Sequence, residues 1–289
     1  EPGGPLAALA LLRWLAAPEG QRLLPWTTWR VCPQINPDGA ILNAAWFADP
    51  PDLLAYARNT FRELPGDDVE FNYPSDEPGA KAPRPENVAV AGFLRGRGPY
   101  HLHLSLHGMA FASGVWWLIG REWIERTAPL RPQLAGVFEH AGLGRHDWDR
   151  RGEKGFTRIE PGFATTPTST AMRAHFQVQG QLDTAALFLP SSMEFVQSLG
   201  GDPLVMVSEI PLFRIGAPSP SPEDSALDRL RGRLPEARAQ LLSGDDSALR
   251  SLAAEFHLAA IPFATQVNVI ASAVTTTVRW LQRRMGLTH

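Results

Sequence analysis

The sequence predicts a mainly α protein of the α+β class: one helix-rich domain over residues 1–289, with short β-hairpins and long irregular loops. Three observations lead to this fold class. Apolar residues recur every three or four positions through residues 263–285, which is typical of a packed helix. Short alternating or wholly apolar runs, at residues 100–107 and 204–210, predict a minority of strands. Residues 65–87 are rich in Pro, Gly and charge, which predicts a long loop.

The N-terminal part is predicted to combine helices with one hairpin. Leucines on successive turns predict a helix over residues 6–17, which Pro18 ends. The sequence NPDG at 36–39 is typical of a turn, so residues 29–46 are predicted to form two short strands around it. A further helix is predicted to begin near Asp49, because prolines at the start of a helix pre-set its φ angle.

The middle of the chain is predicted to contain a second hairpin and two helices. Residues 65–87 form the exposed or protruding loop, because turn formers and charges dominate them. Residues 88–94 and 100–107 are predicted to be strands joined by the Gly-containing turn RGRGP. A tryptophan-rich helix over 113–126 and a second helix over 131–140 follow.

The next segments are predicted from composition and from local stop signals. Residues 161–190 are rich in Thr, Ala and Gln and are predicted to be strand-like. A short helix over 192–199 ends at Gly200. Residues 204–210 are predicted to form a buried strand because they are almost wholly apolar. Residues 216–221 contain Gly, Pro and Ser and are predicted to be a linker.

The C-terminal part is predicted to be helical. Ser221 is the expected N-cap of the first helix, and Pro235 is expected to break it. A helix over 246–259 follows, and the last helix runs over 263–285. Its predicted buried face consists of Val267, Ile270, Val274, Val278, Leu281 and Met285.

Composition excludes several classes of protein. Apolar residues make up 44% of the chain and charged residues 20%, so the chain has the composition of a globular protein. The net charge of −3 disfavours tight binding to nucleic acid, which usually requires a basic excess. Cys32 is the only cysteine, which excludes an intrachain disulfide. The sequence contains no run of about 18 apolar residues, so no membrane span is predicted. It also contains no cofactor-binding motif.

The stretch YHLHLSLHG, residues 100–108, is the strongest candidate for a functional site. In a strand, His101, His103 and His107 would share one face with Ser105 while leucines occupy the other. Zinc needs three or four N, S or O ligands. The metal alternative therefore combines His101 and His103 with His146 of the sequence RHDWD.

The segment HLSL, residues 103–106, also looks like one half of the paired His-x-Ser/Thr-x signature of 2H phosphoesterases. In that family two such strands face each other, and one histidine accepts a proton while the other donates one. The second copy here would be HFQV, in which Gln177 stands where Ser or Thr is expected. This alternative assigns catalysis to His103, Ser105 and His175.

The simpler interpretation is a structural strand with leucines towards the core and histidines towards solvent or a neighbouring subunit. Burying one leucine side chain stabilises a fold by about 1.5–3 kcal/mol. A single histidine motif without a matching partner does not predict catalysis. On this interpretation the chain is not an enzyme, and it has no catalytic, metal-binding or cofactor-binding residues and no small-molecule substrate.

Residues 23–61, supported by the Thr/Ser-rich residues 162–183, resemble the coat proteins of partitivirus-like double-stranded RNA viruses of fungi. The resemblance implies a mostly helical capsid subunit that forms dimers and closes into an icosahedral shell around a genome, with loose, non-specific RNA contact. It implies a virion in the host cytoplasm. Abundant Trp and Arg agree with extended subunit contacts. The alternative is an interaction or immunity protein of the bacterial cytoplasm.

Overall fold

A six-stranded mixed sheet lies at the centre of the protein. A computed structural model describes residues 2–287; 47% of the chain is helix and 13% is strand. The strands are β1 Leu102–Ala112, β2 Trp116–Ile119, β3 Arg158–Glu160, β4 Phe163–Thr165, β5 Leu204–Arg214 and β6 Ala259–Ala260. The α-helices are α1 Gly3–Ala16, α2 Pro18–Gln21, α3 Pro37–Asn43, α4 Leu53–Asn59, α5 Pro85–Leu94, α6 Arg131–His140, α7 Ser169–Val178, α8 Leu182–Ala186, α9 Ser192–Ser198, α10 Ala226–Leu242, α11 Ser247–Glu255 and α12 Phe263–Arg284.

The two longest strands, β1 and β5, pair in parallel. Their register runs from Leu102 opposite Leu204 to Ala112 opposite Arg214. The strand order is β1–β5–β2–β4–β3, and β6 pairs with the end of β5. The α+β class is therefore confirmed, but the expectation of short hairpins alone is wrong. Local patterns do not reveal the pairing of two strands that lie about a hundred residues apart.

The first face of the sheet is covered by α1, α6 and α12, which together form the first core. Trp117, Phe163 and Leu204 of the sheet are each fully buried there. The helical face predicted for α12 is confirmed except at its end. Ile270, Val274, Val278 and Leu281 are buried and Val267 is half-buried, but Met285 follows the last residue of the helix and is 45% exposed. Leu102, Leu104 and Leu106 also pack against this core.

The second face is covered by two separate groups of helices. One group, α4, α10 and α11, forms the second core with Met109 and Phe111 of β1. The other, α5 and α7–α9, builds two smaller apolar clusters around Phe195 and Phe188. The polar residues His103, Ser105 and His107 precede Met109 on the same face of β1, so polar side chains lie between the two groups.

Neither predicted hairpin forms, because helices replace residues of the first and the first strand of the second, whereas the strand predicted over residues 100–107 is confirmed as part of β1. In residues 29–46, Asn36 caps α3 by accepting a hydrogen bond from the Gly39 N–H at 2.8 Å. NPDG therefore starts a helix with Pro37 at the first position. Residues 88–94 lie in α5, which begins at Pro85; their alternating valines resemble a strand only locally.

Three further predictions, all after β1, are wrong. The expected helix over 113–126 contains the buried strand β2 and two turns of 3₁₀-helix. Residues 161–190 are strand only in β4. Thr168 caps α7, and much of the rest of the segment is helical in α7 and α8. Ser225, and not Ser221, caps α10, which continues through Pro235.

Residues 65–87 are only partly an exposed loop. Residues 76–80 are exposed, whereas Phe71, Asn72 and Tyr73 are buried. Tyr73 donates its N–H to the Pro190 carbonyl, which fixes this part of the segment against the residues before α9. Residues 216–221 join β5 to α10 outside the helices and strands. Over residues 2–287, no helix is both long enough and apolar enough to cross a membrane.

Candidate functional site

Three side chains on the second face of the sheet form a contiguous polar site, which we call the serine–histidine triangle: His103, Ser105 and Ser192. The His103 Nε2 lies 2.9 Å from the Ser192 Oγ and 3.4 Å from the Ser105 Oγ. The two hydroxyl oxygens lie 3.1 Å apart. One ring nitrogen therefore has two hydroxyls within hydrogen-bond reach.

Local structure fixes each member of the triangle. The pleat of β1 places His103 and Ser105 on the same face, two residues apart. Ser192 is the first residue of α9, which a capping box holds in place. Ser191 Oγ accepts from the Glu194 N–H at 3.2 Å, and the Glu194 carboxylate accepts from the Ser191 N–H at 2.8 Å.

The environment keeps His103 neutral. Burial, and then the nearby charge of His107, lower the pKa of His103 to about 4. A neutral imidazole with its proton on Nδ1 accepts a proton at Nε2. In this tautomer the Ser192 hydroxyl donates its hydrogen bond to His103, which is the arrangement of a nucleophile and its base.

A second polar pair continues along the strand. The His107 Nδ1 lies 3.4 Å from the Glu70 Oε1, and Glu209 of β5 is the register partner of His107. Burial alone would raise the pKa of Glu70, but the hydrogen bond and charge of His107 and the charge of Arg62 lower it to about 2. Glu70 is therefore ionised beside His107 at neutral pH.

A second carboxyl, which is partly protonated at neutral pH, lies next to the Glu70–His107 pair. Burial and the charge of Glu70 raise the pKa of Asp68 to about 7, and the Asp68 Oδ1 accepts the Glu70 N–H at 3.0 Å. Two neighbouring carboxyls are thus held in different protonation states, an arrangement that suits acid–base chemistry.

These groups are partly exposed to solvent. His103, Ser105, His107 and Ser192 are half-buried, and the Glu70 side chain is 37% exposed. The leucines on the other face of β1 are half-buried as well. The expectation that the histidines are simply the solvent side of the strand is therefore wrong, because His103 bonds Ser192 and His107 pairs with Glu70.

The 2H arrangement is not formed. His175 lies on helix α7 and not on a strand, and its Nε2 lies 2.9 Å from the side-chain nitrogen of Gln179. The catalytic alternative keeps His103 and Ser105, while Ser192 supplies the group that bonds the histidine. The motif HFQV has the periodicity of an amphipathic helix, which explains the wrong assignment.

The zinc alternative is not formed either. His146 is 2% exposed, and its Nδ1 lies 2.9 Å from the Oγ of Ser113, which directly follows β1. His103 lies near the opposite end of β1, and His101 is exposed outside the strand. Throughout residues 2–287, no group of three or more His, Cys, Asp or Glu residues could hold a metal ion.

Sequence patterns missed Glu70 and Ser192. Glu70 lies in the segment that the sequence predicts to be an exposed loop. The residues after it alternate between aromatic and polar side chains, Phe71, Asn72 and Tyr73, which is typical of an ordered extended segment, and all three are buried. Ser192 follows Ser191, the N-cap of α9, and the sequence around it indicates only the start of a helix. Its contact with β1 depends on tertiary structure.

The site therefore combines a neutral histidine, two hydroxyls and an ionised carboxylate on one accessible face. This set of groups is suited to proton transfer and nucleophilic attack. A comparison of the chain with protein-family models, curated proteins and solved structures gives no match.

Proposed function

We propose that the protein is a hydrolase in which Ser192 is the nucleophile and His103 is its base. The observation that carries the proposal is the 2.9 Å contact between the Ser192 Oγ and the His103 Nε2 in an accessible position. A serine hydroxyl is a weak nucleophile until a neighbouring base accepts its proton. The neutral state of His103 supports this role.

The proposed reaction is the hydrolysis of an ester in two balanced steps. The Ser192 oxygen forms a bond to the electrophilic centre while its proton moves to the His103 Nε2. The bond to the leaving alcohol breaks, and the alcohol takes that proton from His103. Water then attacks the ester formed on Ser192, passes one proton through His103 back to the serine oxygen, and releases the acid product.

The neighbouring groups support this chemistry. Ser105 contacts both reacting atoms and holds the imidazole and the hydroxyl in one position. His107, which lies 3.4 Å from the Glu70 carboxylate, would stabilise negative charge that develops near the reacting centre when its ring is protonated.

A fluorophosphonate probe, which reacts covalently with activated serines, tests the proposal without knowledge of the substrate. The wild type should be labelled on Ser192, and labelling should fall at least about 100-fold in Ser192→Ala and in His103→Gln. Ser198→Ala is the matched control on α9, because the Ser198 hydroxyl only bonds the Phe195 carbonyl. Undiminished labelling of Ser192→Ala, or an unlabelled wild type, would contradict the proposal.

A second candidate is the self-assembling capsid subunit, in which the serine–histidine triangle would be structural and the chain would have no enzymatic activity. Exposed apolar side chains favour it. On α1, Leu6 is 41% and Leu9 45% exposed, and on α3, Ile41 is 74% exposed. Such side chains are typical of surfaces that another copy covers.

The mass of the purified protein in solution tests this candidate. A closed shell has a mass in the megadalton range, and Leu9→Lys should reduce it to small species because it places a charge in the contact. A wild type that remains a monomer of 31.7 kDa at high concentration would contradict the candidate.

A further inference from the structure

A cluster of three cations lies on the same side of the sheet as the serine–histidine triangle. We call Arg150, Lys154 and Arg231 the basic cluster. The guanidinium carbons of Arg150 and Arg231 lie 4.8 and 4.7 Å from the ring centre of Trp148, so a single indole holds both. Lys154 joins them through Glu153, whose carboxylate lies 2.9 Å from Arg150 and 3.7 Å from Lys154.

The guanidinium of Arg231 is available for a ligand. Among the described residues, its guanidinium stacks on the Trp148 ring and has neither a hydrogen bond nor an ion pair, and the residue is exposed. Asp228, one turn earlier on α10, makes its hydrogen bonds elsewhere: its Oδ2 accepts from the Trp148 Nε1 at 2.9 Å and from the Ser225 Oγ at 2.8 Å. The donors of Arg231 are therefore free for a ligand.

The loop that carries the other two cations is strained. Arg151 has a φ of 52° and Lys154 a φ of 55°, although neither is glycine. Such left-handed residues cost free energy and occur preferentially at ligand clamps and active sites. Packing holds this conformation, because a Cβ on Gly155 would lie 2.6 Å from the Ala171 Cβ of α7.

The cations are close enough for their positive charges to interact. Burial, and then the charges of Arg150, Arg231 and Arg62, lower the pKa of Lys154 against the opposite effect of Glu153. Arg62 also lies 4.0 Å from Glu70, so the basic cluster and the Glu70–His107 pair face connected regions of the same surface. Like charges are held together at a cost that a bound anion would relieve.

We infer that the basic cluster binds the phosphate group of a small-molecule ligand. Two planar guanidinium groups, already fixed on one aromatic ring, match the geometry of phosphate oxygens and lose little freedom on binding. A small molecule fits better than a nucleic acid, because the whole chain carries a net charge of −3 and no extended basic surface is needed. The site does not require Ser192 to be a nucleophile.

Isothermal titration of the full chain with inorganic pyrophosphate tests the inference. We expect the wild type to bind, and Arg231→Gln to weaken binding by more than about tenfold, since a charge-assisted bidentate contact is lost. Arg231→Lys should restore only part of the affinity, because an ammonium lacks the guanidinium fork. Among the described residues Arg231 has no hydrogen bond or ion pair and contacts only the face of Trp148, so both variants should remain folded, with a cooperative urea transition close to that of the wild type.

Arg233→Gln is the matched control, because Arg233 lies two residues further along α10 and pairs with Glu255 of α11. It removes the same charge and should leave pyrophosphate binding unchanged. Equal weakening by Arg233→Gln and Arg231→Gln would overturn the inference, as would a wild type that does not bind pyrophosphate. Tighter binding of a single-stranded oligonucleotide than of pyrophosphate would overturn the small-molecule assignment. Ser192→Ala should bind normally, whether or not Ser192 proves to be a nucleophile.

Discussion

Replacing Val274 by aspartate tests whether α12 holds the first core together. Val274 is 1% exposed and lies in the middle of the helix, among the buried residues that α12 shares with the sheet and with α1. Buried apolar side chains of the sheet, α1 and α12 pack in this core, and they offer an aspartate neither a hydrogen bond nor an ion pair. The substitution therefore removes apolar burial and adds an unpaired polar group.

Both effects have a known size. Burial of a valine side chain is worth about 1.5–3 kcal/mol, and an unpaired buried polar group costs about 1–3 kcal/mol. The variant should therefore lose about 3–5 kcal/mol of unfolding free energy. Globular proteins have only about 5–15 kcal/mol in total. The loss would be a large part of the stability of this fold.

Urea denaturation followed by circular dichroism measures the loss, provided that the slope of the transition is the same as in the wild type. Asn268→Asp is the control, because Asn268 is exposed on the same helix. It should change the free energy by less than about 0.5 kcal/mol. A Val274→Asp variant within about 1 kcal/mol of the wild type would show that α12 does not support the core in this way.

Three further predictions concern the two faces of β1, the buried histidine and the loop. Leu104→Asp should lower the unfolding free energy measured in urea by about 3 kcal/mol, because it places a charge against the apolar core. His103→Ala should lower it by only about 1 kcal/mol, because it removes one hydrogen bond. A larger loss in His103→Ala than in Leu104→Asp would contradict this prediction. Burial, and then the charge of Arg231, lower the pKa of His146 to about 3. The contribution of neutral His146 to stability is therefore complete above pH 6.5 and is lost as pH falls towards about 3, and an NMR titration that shows its ring protonated at pH 6 would disprove this. Inserting two residues after the exposed Glu77 should change the unfolding free energy by less than about 1 kcal/mol in the same assay, because lengthening an exposed loop costs little. A larger loss would show that the loop is packed.

Local patterns in the sequence predict elements that form their own contacts, and they fail where distant segments decide the structure. The spacing of Ile270, Val274 and Leu281 predicts α12 because one helix face meets one apolar surface. The apolar run around Trp117 predicts a helix but forms strand β2, because periodicity alone does not distinguish a buried strand from a buried helix. The contact of Ser192 with β1 depends on tertiary packing of α9, which no spacing of residues expresses.

The histidine-rich strand therefore has two roles that belong to opposite faces. Leu102, Leu104 and Leu106 join the first core, which requires only apolar surface. On the second face, Met109 joins the second core, whereas His103 and His107 place polar groups at positions where apolar side chains would extend that core. Half-buried polar groups lose solvation that their hydrogen bonds recover only in part, so they add less to stability than apolar side chains would. A polar gap that separates apolar clusters and holds a neutral histidine against a serine, beside a strained loop and a cluster of cations, is better explained by binding and chemistry than by packing.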